Sequence, residues 1–213
     1  MIEPALRKFS PKIRLIGWGF VWLGVALYAL GYIVDAREAA FNNALSFLYL
    51  TSIGIGALFF IALEYISGAV WSVPIRRVHE FLAQLIPFAA LLAVPLLFNL
   101  DDLFVWARKD IMASDAMLRL KEPYLNQTFF IARFIGIFIV WKIFIRLLTR
   151  NSMRQDATAD PRLTKINTIL SAFFMPVFAV TLTTLAVDWG MSLEPHWYST
   201  IYGIYFFAGT AIA

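Results

Sequence analysis

Runs of about twenty apolar residues alternate with short charged stretches along this chain, the pattern expected of repeated membrane spans. A basic start (Arg7, Lys8, Lys12, Arg14) leads into a first predicted span, residues 13–34, which an acidic turn at Asp35–Ala40 closes. The second span covers residues 41–67, and Pro74, Arg76, Arg77, His79 and Glu80 mark its surface connection. The third, residues 81–100, contains Pro87 and Pro95, whose kinks neighbouring helices can satisfy. A polar segment, Asp101–Gln127, is expected to carry one short surface helix around Trp106–Leu120. The fourth span covers residues 128–148, a charged linker runs over Thr149–Lys165, and the fifth span covers 166–187. A sixth covers residues 198–213. At 1.5 Å per residue it would reach only ~24 Å of a ~30 Å hydrocarbon core, so the chain is expected to be the first portion of a longer protein.

Composition agrees with the pattern. The chain is 61% hydrophobic and 15% charged, with a mean hydropathy of +0.73, more apolar surface than a soluble domain of this length can cover. The expected class is all-α, a polytopic transmembrane helix bundle. No cysteine is present, which excludes iron–sulfur ligation, covalent c-type haem and disulfides within this polypeptide. His79 and His196 are too few and too far apart for a metal cluster or a bis-histidine haem, so no metal site and no cofactor of its own are expected. The net charge of +4 reflects which way loops face rather than nucleic-acid binding. The first apolar run is too long for a signal-peptide core and lacks a cleavage site.

The basic segments fall on alternate sides. The start of the chain, the 67–80 connection and the 149–165 linker are rich in Lys and Arg, whereas the opposite side has Arg37, Arg108, Lys109, Arg119 and Lys121. The positive-inside rule therefore puts the N-terminus in the cytoplasm and Asp188–Trp197 on the outer face.

Glu64, Arg133 and Lys142 lie inside predicted spans, where a lone charge costs about 2.5–3.5 kcal/mol on insertion scales. Arg133 sits close enough to the outer end to snorkel. Glu64 and Lys142 fall at similar depth in the inner half of two helices, so an ion pair between them, structural or functional, is expected. Tyr49, Thr51 and Ser52 form a small polar group whose hydroxyls are expected to bond their own i−4 carbonyls. Asp188–Tyr205 (DWGMSLEPHWYSTIYGIY) packs Asp188, Glu194, Pro195 and His196 between Trp189 and Trp197. Two readings stand: a polar loop with capping carboxylates and interfacial tryptophans, or the releasing end of a proton path with Arg133 as counter-charge.

With Glu64–Glu80 (EYISGAVWSVPIRRVHE) and Lys121–Arg133 (KEPYLNQTFFIAR), that segment resembles the ActF-type membrane subunit of alternative complex III, the bacterial quinol:cytochrome c oxidoreductase, within the NrfD/PsrC-like group. The resemblance covers most of the chain from Glu64 onward. It implies about ten helices as two four-helix bundles flanked by two peripheral ones, with the first span peripheral and the second to fifth forming the first bundle. It also implies a subunit without a redox centre, beside a multihaem cytochrome c, an iron–sulfur subunit and a paralogous quinol-binding membrane subunit. Haem c and iron–sulfur clusters belong to those partners; quinol, lipids and a terminal oxidase are further contacts it allows. The expected role is assembly plus a proton path in the bacterial inner membrane, through Glu64 and Lys142 on the inner side and Asp188, Glu194, His196 and Arg133 on the outer. A secondary transporter or channel built on the same charges, or a purely structural anchor, are the alternatives.

Overall fold

The computed structural model describes residues 10–213, so Arg7 and Lys8 of the basic start lie outside the described residues. The protein is an all-α polytopic membrane bundle. Helix α1, Pro11–Val34, begins at Ser10, whose side chain accepts from the Ile13 N–H, with Pro11 in the first turn where no N–H is needed. None of its residues is buried. Asp35 alone forms the turn, and its carboxylate accepts from the Glu38 N–H at 3.0 Å. Helix α2, Ala36–Ser67, therefore starts five residues before the predicted span. It stops where Gly68 takes a left-handed φ of 64°, the conformation that ends helices most cheaply in glycine.

The third span is broken. Helix α3, Arg76–Ala83, and α4, Leu85–Phe98, meet at Gln84. Pro87 explains the break, because its ring excludes the carbonyl of Ala83 and it has no N–H to donate. The charged run from Arg76 to Glu80 is thus helical rather than a surface connection. Beyond it, α5 (Leu100–Leu103), a 3₁₀ turn (Val105–Ala107), α6 (Lys109–Ser114) and α7 (Ala116–Lys121) replace the single surface helix expected. The interruption comes at Asp115, which is extended and caps α7 by accepting from Met117 N at 2.8 Å and Leu118 N at 3.2 Å.

Helix α8, Gln127–Thr158, starts at Asn126, whose side chain accepts from Phe129 N. It runs ten residues past the predicted end. Hydropathy falls after Leu148, but TRNSMRQDAT holds no Gly or Pro, and nothing in it opposes helix. Only Ala159, at a φ of 52°, and Asp160 separate α8 from α9, Pro161–Trp189, again with an aspartate cap and proline in the first turn. After a 3₁₀ turn at Met191–Leu193 comes α10, Tyr202–Ile212.

Among the described residues five helices are long and apolar enough to cross a membrane, with α3 and α4 counted as one, and α10 is shorter at 11 residues. The sixth predicted span is therefore a helix of ~17 Å at 1.5 Å per residue. Two compact units divide at Asn42 and Asn43. The second holds the bundle. There α8 packs along α9, α9 against α10, and α4 against α8. Apolar burial drives nothing between helices already in lipid, so close packing and internal hydrogen bonds carry the association. Phe47, Phe104, Phe130, Phe134 and Trp189 interlock with ring centroids 4.5–6.0 Å apart. Trp141 is fully buried and donates to Thr181 Oγ1 at 2.9 Å. A Cβ on Gly54 would meet Ile86 Cγ1 at 2.7 Å, so only glycine lets α2 approach α4 this closely.

Candidate functional site

Two clusters of charge sit at opposite ends of the bundle. At one end Glu64, in the last turn of α2, is 6% exposed. The turn after Gly68 folds the chain back, so α3 lies beside α2 and brings a guanidinium and an imidazole to this carboxylate. Arg76 Nε donates to Glu64 Oε2 at 3.1 Å, and His79 Nδ1 lies 2.8 Å from Oε1. The Arg76 guanidinium lies 4.3 Å from the centroid of Tyr65, and the His79 ring stacks on Phe60 at 5.7 Å. Each contact fixes an orientation. An ionised Glu64 accepts from Nδ1–H, which leaves Nε2 as the basic nitrogen of His79. Glu64 and Arg76 also line a cavity of about 460 Å³ with Tyr65, Ser152, Gln155 and Asp156.

A second buried carboxylate stands one turn further on. Glu80 is 4% exposed and is held by Arg77, which also pairs with Asp156 of α8 and so ties α3 to α8. The other oxygen of Glu80, Oε1, is buried without a hydrogen-bond partner. Such an oxygen is costly for an ionised group, and a proton or a water molecule relieves it.

The expected Glu64–Lys142 pair does not form. Lys142 is exposed and has no hydrogen bond or ion pair to any described residue. Two physical reasons account for this. Arg76 and His79 follow Glu64 by only 12 and 15 residues and reach it first. The inward face of α8 is also taken by Trp141, Ile145 and Leu148, which turns Lys142 outward.

At the other end Arg133 and Asp188 meet because α8 and α9 run antiparallel through a two-residue connection. Arg133 Nε donates to Asp188 Oδ2 at 2.8 Å, and Nη2 donates to Oδ1 at 3.0 Å. This bidentate geometry is the strong form of the pair. Arg133 therefore does not snorkel. Its Nη1 donates to the Tyr124 carbonyl at 3.1 Å, and its guanidinium lies between the rings of Tyr124 (3.9 Å) and Phe129 (4.3 Å). The Tyr124 hydroxyl also bonds Asp188; burial first, then the negative charge of Asp188, push this phenol up to about 12. Asp188 lies in the last turn of α9, where the helix dipole opposes a carboxylate, so Arg133 is its counter-charge.

Glu194 and His196 lie elsewhere on this end. His196 Nε2 is 2.6 Å from Asp115 Oδ2, and its Nδ1 is 3.8 Å from Glu194 Oε1. Asp115 is held below the ordinary carboxylate range, by the Leu118 N–H foremost and then by Met117 N–H and His196. Among the described residues no hydrogen bond joins Asp188 to His196. Glu194 caps nothing, since α10 starts only at Tyr202 and its N-cap, Ile201, makes no side-chain bond. Trp189 is 2% exposed and belongs to the ring cluster, not to an interface, whereas Trp197 is exposed. Thr51 Oγ1 is buried without a partner instead of bonding its own helix, unlike Thr181, Thr184 and Thr210.

Arg76, Arg77, His79, Glu80, Tyr124, Asp115 and Asp156 are the participants that sequence reasoning left out. The signal for four of them was present: from Arg76 to Glu80 the polar residues share a helical stripe, but hydropathy alone assigned them to a loop. No protein-family model matches this chain, and no curated protein matches it.

Proposed function

We propose that this chain is the membrane subunit, without a redox centre of its own, of a bacterial respiratory quinol:cytochrome c oxidoreductase of the alternative complex III type. It supports assembly and carries protons at its inner end. One observation carries the proton role: a buried carboxylate, Glu64, lies 2.8 Å from an imidazole and opens with Arg76 onto a cavity of about 460 Å³. Arg76 orients Glu64 through Oε2 and leaves Oε1 to the ring, while imidazole is the side chain that exchanges protons near neutral pH. A proton that binds Nε2 of His79 makes the ring an imidazolium, and the ring then releases its Nδ1 proton to Glu64 Oε1. Glu80, with its open oxygen, is the next acceptor along α3.

The basic segments at this end favour the cytoplasmic side of the inner membrane, the side from which protons are taken up. The three-segment resemblance supplies the partners: a multihaem cytochrome c, an iron–sulfur subunit and a paralogous quinol-oxidising membrane subunit. The bidentate Asp188–Arg133 pair favours a structural role for the outer end, where of the four groups expected to release protons only Glu194 and His196 are exposed.

The test is made in the assembled complex. Glu64→Gln and His79→Ala each lower quinol-driven turnover or proton uptake by about 100-fold, the usual size of a general acid–base effect, with haem content intact. Full turnover in both variants removes the proton role. Failure of haem and iron–sulfur subunits to co-purify with the chain in mild detergent removes the complex, and a transporter then takes its place.

A further inference from the structure

The residue that failed to pair with Glu64 belongs to a different feature. Lys142, Arg146, Arg150 and Arg154 follow one another at four-residue steps along α8, so each neighbours the next on the helix surface. All four are exposed. They line an open groove of about 590 Å³ together with Gln84, at the break between α3 and α4, and Met153. None of the four side chains makes a hydrogen bond or ion pair with a described residue, and no carboxylate lines the groove. The one acid on this stretch of α8, Asp156, is engaged by Arg77. Four adjacent like charges repel one another, and an anion brought to the groove relieves that repulsion.

The same face shows what kind of anion. Ile135, Ile139, Ile143 and Leu147 are exposed and stand seven residues before Lys142, Arg146, Arg150 and Arg154. Seven residues return a helix to within about 20° of the same direction. One exposed stripe of α8 therefore passes from aliphatic to cationic along the helix axis. That order matches a phospholipid, with acyl chains along the isoleucines and phosphate beside the cations. An acidic protein segment would match the Arg150–Arg154 part but would not lie along exposed aliphatic side chains at Lys142. Arg binds phosphate through two parallel N–H groups, and the stripe extends over ~18 Å, long enough for more than one phosphate.

We infer that the Lys142–Arg154 groove is a binding site for an anionic phospholipid, with a two-phosphate headgroup of the diphosphatidylglycerol kind preferred over a single phosphodiester. The site is independent of the proton role of Glu64. It puts Lys142 at the junction of headgroup and chain, where a long flexible ammonium reaches phosphate while its methylenes stay among the chains.

The experiment uses the full chain, stripped of lipid in mild detergent and titrated with diphosphatidylglycerol, phosphatidylglycerol, phosphatidylcholine or inorganic phosphate. Bound lipid is counted by native mass spectrometry, and thermal unfolding is followed in parallel. Arg146→Gln/Arg150→Gln is compared with Arg162→Gln/Lys165→Gln, which removes two charges at the same end but outside the groove. Diphosphatidylglycerol is expected to bind and raise the melting temperature, and the groove variant to weaken it by roughly 30-fold. The control variant stays within about twofold, and phosphatidylcholine and inorganic phosphate leave the melting temperature unchanged. Equal weakening by the control overturns the site in favour of general surface charge. Equal stabilisation by inorganic phosphate makes it a free-anion site, and equal binding of phosphatidylcholine removes the anionic requirement. Undiminished lipid binding by the groove variant, with loss of another subunit from the assembled complex, reassigns the stripe to an acidic protein partner.

Discussion

Glu64 and Asp188 are built from the same parts and differ in what those parts permit. Each is a buried carboxylate near the end of a long helix, and each is held by one arginine that lies against aromatic rings. Asp188 uses both oxygens on Arg133, and Tyr124 adds a further bond. Glu64 gives one oxygen to Arg76 and the other to an imidazole, and a cavity adjoins it. A carboxylate whose oxygens are all engaged by fixed donors has no way to pass a proton on. One that shares a hydrogen with a histidine does. The first arrangement is a lock between α8 and α9; the second is the one for which we propose exchange.

The comparison breaks most visibly at the lock. Arg133→Met and Asp188→Asn each leave a buried group without its counterpart, and each should destabilise the bundle by about 3–5 kcal/mol in detergent. The double variant should be milder than the sum of the two, because it removes the stranded charge. Additive losses would mean that the pair contributes nothing as a pair. Next comes the exchange site, where stability and activity should part. Glu64→Gln keeps an acceptor for Arg76 and should unfold within about 1–3 kcal/mol of the native chain, the ordinary cost of a weakened buried hydrogen bond. Turnover should fall far more than that. Equal losses of fold and turnover would make Glu64 a second lock.

Alkaline titration sharpens the contrast further. Tyr124 in the lock ionises at about 12, against 10 for a free phenol. The unfolded chain therefore releases this proton first, so the contribution is complete below pH 10 and is lost as pH rises towards 12. Tyr124→Phe should flatten that decline, and ultraviolet absorbance should show one fewer late-ionising phenol. The smallest effect is expected at Lys142. Lys142→Met should change stability by less than about 0.5 kcal/mol, and its effect should add to that of Glu64→Gln, as for sites that share no partner. A coupling larger than this would restore the pair that the structure separates.

Much of the fold was legible because its signals are local. Twenty apolar residues in a row mean a span wherever they occur, whereas the caps at Ser10, Asp35, Asn126 and Asp160, equally local, were not read from the sequence. The misreadings share one cause. Hydropathy reports where lipid ends, not where helix ends, so α8 continued through a polar stretch and α3 absorbed a charged one. Pro87 was visible as a kink, but its effect on the third span depended on the geometry around Ala83 and Gln84.

The sequence by itself determined that this chain lives in a membrane, that it is helical, and that the charges inside its spans, Glu64, Arg133 and Lys142, each need a partner, a route to the surface or water. Burial costs are properties of the residues, and they can be stated without coordinates. Tertiary structure alone decided who the partners are. Arg133 meets Asp188 across 55 residues because α8 and α9 pack antiparallel. Glu64 takes Arg76 and His79 because a left-handed glycine folds α3 back against α2. Lys142 is left facing outward because Trp141 claims the inward side of α8. Which charges meet is set by helix rotation and turn geometry, and a one-residue change in either exchanges a buried face for an exposed one.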